Sequence, residues 1–377
     1  MKRIFYWFAF TLSLGILLAS CEEQEADDVS SETGSTEISD EVITTATTDL
    51  SAAIDEIRED KGYELLSLSE SAATASVSSL LADGDSLAVD MELADIAGRY
   101  VYSAAPVDTI LYPNGTYRLV YQYFSKSEDS DDFIVELPEE KALGISKLYS
   151  TNLADTALSN NFVITSSEFE YKDYAHSGNY SYLLNSEIEI DDAYAAGIYV
   201  NRSYNGSSDV NYESVYDFSS GYSLALNYEK GDTVNYSFGL YADDDVMYKE
   251  MVSYDVSNGR AGVASSYTYS LEIGELKIER TTEADSAVFY VYVNDVVQDE
   301  ATVTFTTTTV DSGFRFSKKE VDILITLEDG TEYYLSELVG DAQDTLDALY
   351  DSMDEMYFAK YIVNKLAWKI YRDANDS

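Results

Sequence analysis

Between about Phe162 and Ile273 the chain is a series of short runs in which apolar and polar positions alternate. Tyr182, Leu184, Ser186, Ile188 and Ile190 form one set, and Leu183, Asn185, Glu187 and Glu189 form the other. The same reading holds for Tyr212, Ser214, Tyr216 and Phe218, for Tyr222, Leu224, Leu226 and Tyr228, and for Val234, Tyr236, Phe238 and Leu240. Tyr267, Tyr269, Leu271 and Ile273 repeat it. A period of two puts each set on its own face of a strand, whereas a helix would smear these positions around its surface. Turn residues separate the runs: Ser177-Gly178, Asn205-Gly206, Ser220-Gly221, Lys230-Gly231-Asp232 and Asn258-Gly259. Glycine and asparagine accept the positive φ of tight hairpins. No interval offers a crossover helix, so the runs predict an antiparallel meander. The fold class is therefore mainly β: a large antiparallel meander sheet or half-barrel with a long C-terminal α-helix.

The pattern divides the chain. Residues 97–335 read as the antiparallel β domain, with a seam near 138–160 where the alternation lapses. Within it, Tyr112 to Tyr117 reads as a hairpin turn, and Thr302 to Val310 as a strand suited by its β-branched threonines. Before it, residues 49–96 are a helical segment in which Leu50, Ala53, Ile54 and Ile57 share a face and Ser71 to Leu81 forms a second helix. After it, residues 336–373 switch to three- and four-residue steps through Leu338, Ala342, Leu346, Leu349 and Met353 to Val363, Leu366 and Ile370. Acidic residues crowd the first half of that segment and basic ones the second, which complements the helix dipole. Its apolar stripe is expected to pack on the sheet, with the plug of a half-barrel and the docking of a partner protein as alternatives.

The N-terminus has its own grammar. Lys2 and Arg3 precede an apolar run from Ile4 to Leu17, which is too short for a span of about 20 residues. The order of basic start, apolar core and small residues is that of a signal peptide covering residues 1–20. Leu18-Ala19-Ser20-Cys21 resembles the lipobox of bacterial lipoproteins. The resemblance implies cleavage before Cys21, lipidation of its thiol and amino group, and contact with the membrane through those acyl chains. Cys21 is also the one cysteine of the chain, so no disulfide can form within it. Glu22-Glu23-Gln24-Glu25-Ala26-Asp27-Asp28 is similar to the acidic export tag behind the lipid cysteine in surface lipoproteins of the Bacteroidota. That implies an outer-membrane, surface-exposed location. Residues 21–48 as a whole read as an acidic disordered tether.

Composition narrows the partners. The 70 acidic and 23 basic residues give a formal charge of −47, which repels nucleic acid and anionic headgroups. Glycans, peptides or surface proteins remain as partners. Calcium is the one cofactor with candidate ligands, Asp129, Asp131 and Asp132 or Asp243, Asp244 and Asp245, although neither cluster has calcium-loop spacing and both also read as solvated turns. His176 is the sole histidine and sits beside a turn; with it alone there is neither a zinc set nor a Gly-x-Ser-x-Gly elbow. No catalytic constellation emerges. The 34 tyrosines, against 14 phenylalanines, suit stacking on sugars and equally suit half-buried sheet positions. The leading functional expectation is a lipid-anchored, non-catalytic binding or structural module. Two alternatives stay open: a carrier or chaperone with an apolar cavity between sheet and helix, and a hydrolase using two carboxylates of raised pKa in one cleft.

Overall fold

The computed structural model describes residues 40–67, 89–103, 123–143, 158–174, 179–206, 209–255, 267–283, 286–311, 317–327, 330–340, 342–355 and 362–375. The signal peptide, Cys21, the acidic tag, the Ser71 to Leu81 helix, the Tyr112 to Tyr117 turn and His176 lie outside these residues.

Among the described residues the first strands are β1 (Val89–Glu92), β2 (Gly98–Tyr102), β3 (Phe124–Glu128) and β4 (Phe133–Leu137). The long meander follows as β5 (Phe162–Tyr174), β6 (Asn179–Ile190), β7 (Ala193–Asn205), β8 (Asp209–Phe218), β9 (Tyr222–Lys230) and β10 (Thr233–Ala242). It continues through β11 (Asp245–Asp255), β12 (Tyr267–Ile273), β13 (Leu276–Glu283), β14 (Ser286–Val293) and β15 (Val296–Val297). These form one 15-stranded sheet in the order β15 back to β4, then β2 and β3, with β1 paired to β5. The β2–β4 pair is parallel; every other described ladder is antiparallel. The sheet is open, not a closed barrel, because its strand order has two ends. A separate three-stranded sheet is formed by β16 (Thr302–Asp311), β17 (Ser317–Thr326) and β18 (Glu332–Tyr334). The strands after β15 thus pair among themselves and do not extend the meander.

The hairpins explain how so regular a meander forms. At Asp191-Asp192 and at Asn294-Asp295 both residues have positive φ, 52° and 61° in each case. That is the geometry of the two-residue turns whose twist matches the flanking strands, and Asp and Asn tolerate it. Gly221, at φ 91°, lies in the β8–β9 connection, where the sequence predicts a turn.

The helices are α1 (Asp40–Glu59), α2 (Lys61–Leu66), α3 (Leu93–Ile96), α4 (Glu139–Ala142), α5 (Leu335–Val339), α6 (Ala342–Glu355) and α7 (Asn364–Asn375). Two expectations need correction. The stretch read as tether up to Thr48 is helical from Asp40. Ile43, Leu50, Ile54 and Ile57 are each at most 1 % exposed, so burial of this stripe overrides the low helix propensity of the intervening threonines. For the C-terminal segment, where one long helix or two in tandem is expected, the described helices are short ones, α6 and α7, of 14 and 12 residues.

Helices α1, α2, α6 and α7 share one face of the large sheet. Leu346, Leu349 and Met353 of α6 and Leu366 and Ala367 of α7 are buried in the same core as Leu184, Leu226 and Phe238 of the strands. Gly62 brings α2 close to the sheet; a Cβ there would lie 3.0 Å from the Ala195 carbonyl oxygen and 3.1 Å from the Phe218 ring. Asp60 caps α2 by accepting from the Gly62 amide at 2.6 Å, and its other oxygen accepts from the Ser220 amide at 2.7 Å. The cap thereby also ties the helix to the β8–β9 turn.

Candidate functional site

The register of the meander aligns its tyrosines. Tyr171, Tyr182, Arg202, Tyr212 and Tyr228 are successive cross-strand neighbours from β5 to β9. The row continues through Tyr236, Val252, Tyr269 and Arg280 to Phe289 on β14. One line of side chains therefore crosses ten strands on the helix-bearing face. Their hydroxyls and rings hold the helices. The Tyr182 hydroxyl donates to Asn364 Oδ1 at 2.8 Å, and that of Tyr212 to the Met353 carbonyl at 3.2 Å. Tyr171 meets Trp368 edge to face at 5.3 Å, and Tyr350 packs between Tyr236 and Phe238 at 6.1 and 5.4 Å. At the other end of the strands, the Tyr216 hydroxyl donates to the Gly62 carbonyl at 2.8 Å and that of Tyr222 to Glu56 at 2.9 Å. A tyrosine at these positions contributes ring burial and satisfies a helix group that an all-apolar sheet face would leave unpaired.

Besides the exposed Arg202, two charged groups on this face have unusual surroundings. Glu250 of β11 pairs across the ladders with Phe238 and Leu271. Desolvation raises the pKa of its carboxyl, repulsion by Asp347 of α6 adds to the rise, and a hydrogen bond from the Tyr269 hydroxyl opposes it. Asp347 is raised as well, first by desolvation and then by the neighbouring Asp344 and Asp351. Asp347 lies on the side of α6 close enough for its charge to act on Glu250. The two carboxyls hold protons more tightly than ordinary carboxylates, as the hydrolase reading requires. The cavity described below contains neither.

Arg280 is the second. It is 3 % exposed, and its Nε and Nη1 are buried without a hydrogen-bond partner. Its guanidinium lies 5.2 Å from the Tyr267 ring centroid and 5.9 Å from that of Phe289. Burial lowers its pKa, and the Tyr267 side chain opposes that shift.

The opposite face is polar and half-exposed. Asn201, Glu213, Asn227, Ser237 and Met251 form one of its cross-strand rows. Two glycines open small recesses there. A Cβ on Gly239 would meet the Tyr241 ring at 2.7 Å, and one on Gly197 would meet the Tyr194 hydroxyl at 2.9 Å. In each case a tyrosine ring covers backbone that a side chain would otherwise shield. Burial, with the Asp217, Glu187 and Asp60 carboxylates nearby, pushes the Tyr194 hydroxyl up to about 12. At the sheet edge Val288, Tyr290 and Val297 are 37–40 % exposed, and Tyr290 packs against Tyr292 at 6.3 Å. A shallow cavity of about 520 Å³ lies at the tips of the β7–β8 and β9–β10 hairpins, with Asp209, Glu229 and Lys230 in its lining.

The residues singled out from sequence come together less than these do. Asp129 is 99 % exposed and pairs with Lys126 at 2.8 Å. Asp243 and Asp244 form the β10–β11 turn, with Asp245 opening the next strand. Among the described residues no group of three or more His, Cys, Asp or Glu side chains converges to hold a metal ion. Of the calcium candidates, Asp129, Asp131 and Asp132 lie in the β3–β4 connection, Asp243 and Asp244 in the β10–β11 turn, and Asp245 at the start of β11. Sequence reasoning missed Glu250 and Arg280. Their only signal was a charge at a position whose alternation calls for an apolar residue, as with Arg280 two residues beyond Ile278. No described helix is long and apolar enough to cross a membrane. Among known proteins, no family model, no curated protein and no solved structure matches this chain.

Proposed function

We propose that the protein is an exported lipoprotein, held at the outer membrane by acyl chains on Cys21, whose β body is a non-catalytic binding or structural module facing outward. One observation carries the module reading: among the described residues the helices pack on the apolar face of the great sheet, and none of them lies over the polar face. Leu346, Leu349 and Met353 are at most 2 % exposed, so the helix–sheet interface is packed with the protein's own side chains. An apolar carrier needs that space for its cargo. The polar face, with tyrosines over Gly197 and Gly239, is a broad surface for a glycan, a peptide or a surface protein. The Leu18-Ala19-Ser20-Cys21 sequence and the acidic stretch behind it support the anchor and its outward placement.

Limited proteolysis of intact cells tests the placement, with a periplasmic protein as internal control. The expected result is digestion of the body while the control survives. Protection until the outer membrane is opened would place the body in the periplasm and refute the outward reading.

A further inference from the structure

Arg280 has a setting that packing alone does not explain. A buried guanidinium is ordinarily paired, because its five N–H groups are donors only and lose their water on burial. Here the faces of Tyr267 and Phe289 attract the charge, yet a ring face does not replace an acceptor for Nε and Nη1. The chain has 70 carboxylates, and none of those described forms an ion pair with Arg280. Glu250, an acid on this face two strands away, is instead engaged by the Tyr269 hydroxyl, on the strand between them. Arg280 also stands near the rim of the sheet, three positions before β13 ends at Glu283.

We propose that Arg280 anchors a binding site for a small monocarboxylate with a flat, apolar body. The guanidinium fork matches a carboxylate in geometry and charge. The rings of Tyr267 and Phe289 flank the fork and suit an apolar or aromatic body. A single negative charge is favoured over phosphate or a polyanion, because each further charge is opposed by the −47 of the chain. The site lies on the helix-bearing face, away from the open polar face, and the proposal does not depend on the lipoprotein reading.

The test is titration of the full-length protein, purified in detergent, with benzoate. Binding is followed by calorimetry and by the midpoint of thermal unfolding. Benzyl alcohol, which keeps the ring without the charge, and inorganic phosphate are the comparison probes. Benzoate is expected to bind saturably and raise the midpoint, and the other two are not. Arg280→Met removes an unpaired buried charge while keeping an apolar stem; it should fold and lose the benzoate response. Arg280→Lys keeps a charge without the fork and should bind about tenfold more weakly, equivalent to ~1.4 kcal/mol. Absence of a saturable response in the native protein would overturn the proposal and leave Arg280 served by solvent alone. A response retained in Arg280→Met, or matched by phosphate or benzyl alcohol, would overturn it too. If Arg280→Met does not fold, the three titrations of the native protein decide the question by themselves.

Discussion

At the scale of single residues, the covered face is set by what its polar side chains can find there. Tyrosine hydroxyls find helix carbonyls and an amide oxygen, and that is why tyrosine outnumbers phenylalanine on strands facing a helical layer. Tyr182→Phe should lower stability by about 1 kcal/mol, the usual net value of one hydrogen bond, measured by urea unfolding. Glu250 is the opposite case, an acid in a desolvated place. Its pKa is raised in the folded chain, so the folded state binds the proton more tightly than the unfolded state does. The stability it contributes is present at low pH and is lost as pH rises from the ordinary carboxylate range through the raised value. Glu250→Gln should therefore raise the unfolding midpoint at neutral pH and flatten its decline above the acid range. A variant with the native pH slope would show that Glu250 is not the group responsible. Neither Glu250 nor Arg280 was legible as a site in the sequence. Each is one charge in a chain full of charges, and only strand register shows which face it occupies.

At the scale of elements, alternation identified the strands because each has one buried and one wet face. The faces assigned to Tyr182 through Ile190 and to Tyr212 through Phe218 are the ones observed. Register is not written in alternation, so the row from Tyr171 to Phe289 had no sequence signal. Helix α1 starts earlier than its sequence suggests, because the stretch before Thr48 is polar and poor in core-forming residues. In the helix the Thr47 and Thr48 hydroxyls donate to the carbonyls of Ile43 and Thr44 at 2.9 and 2.7 Å, so they are satisfied within it. Removing packing from α6 tests its role. Leu349 is 1 % exposed, and Leu349→Ala should cost about 2–5 kcal/mol in chemical unfolding. An unchanged midpoint would mean the stripe of α6 is not part of the core. Asp60→Ala removes both the α2 cap and its tie to Ser220; a loss of about 1–2 kcal/mol is expected, at the upper end for a cap.

At the scale of the whole molecule, charge is read directly from the sequence, and the proposed anchor rests on the sequence alone. A formal charge of −47 on a packed body should repel itself. The unfolding midpoint is expected to rise with sodium chloride as the screening length falls from about 30 Å at 0.01 M to about 8 Å at 0.15 M. A midpoint that fell over that range would mean that attractive ion pairs outweigh the repulsion. The account as a whole turns on Cys21, which would make the body a membrane-held module through a lipid and not through its surface. The direct measurement is incorporation of radiolabelled palmitate, with membrane fractionation, for the native chain and for Cys21→Ser. The account predicts label and membrane association in the native chain and loss of both in the variant. Label retained by Cys21→Ser, or a native chain without label, would contradict it.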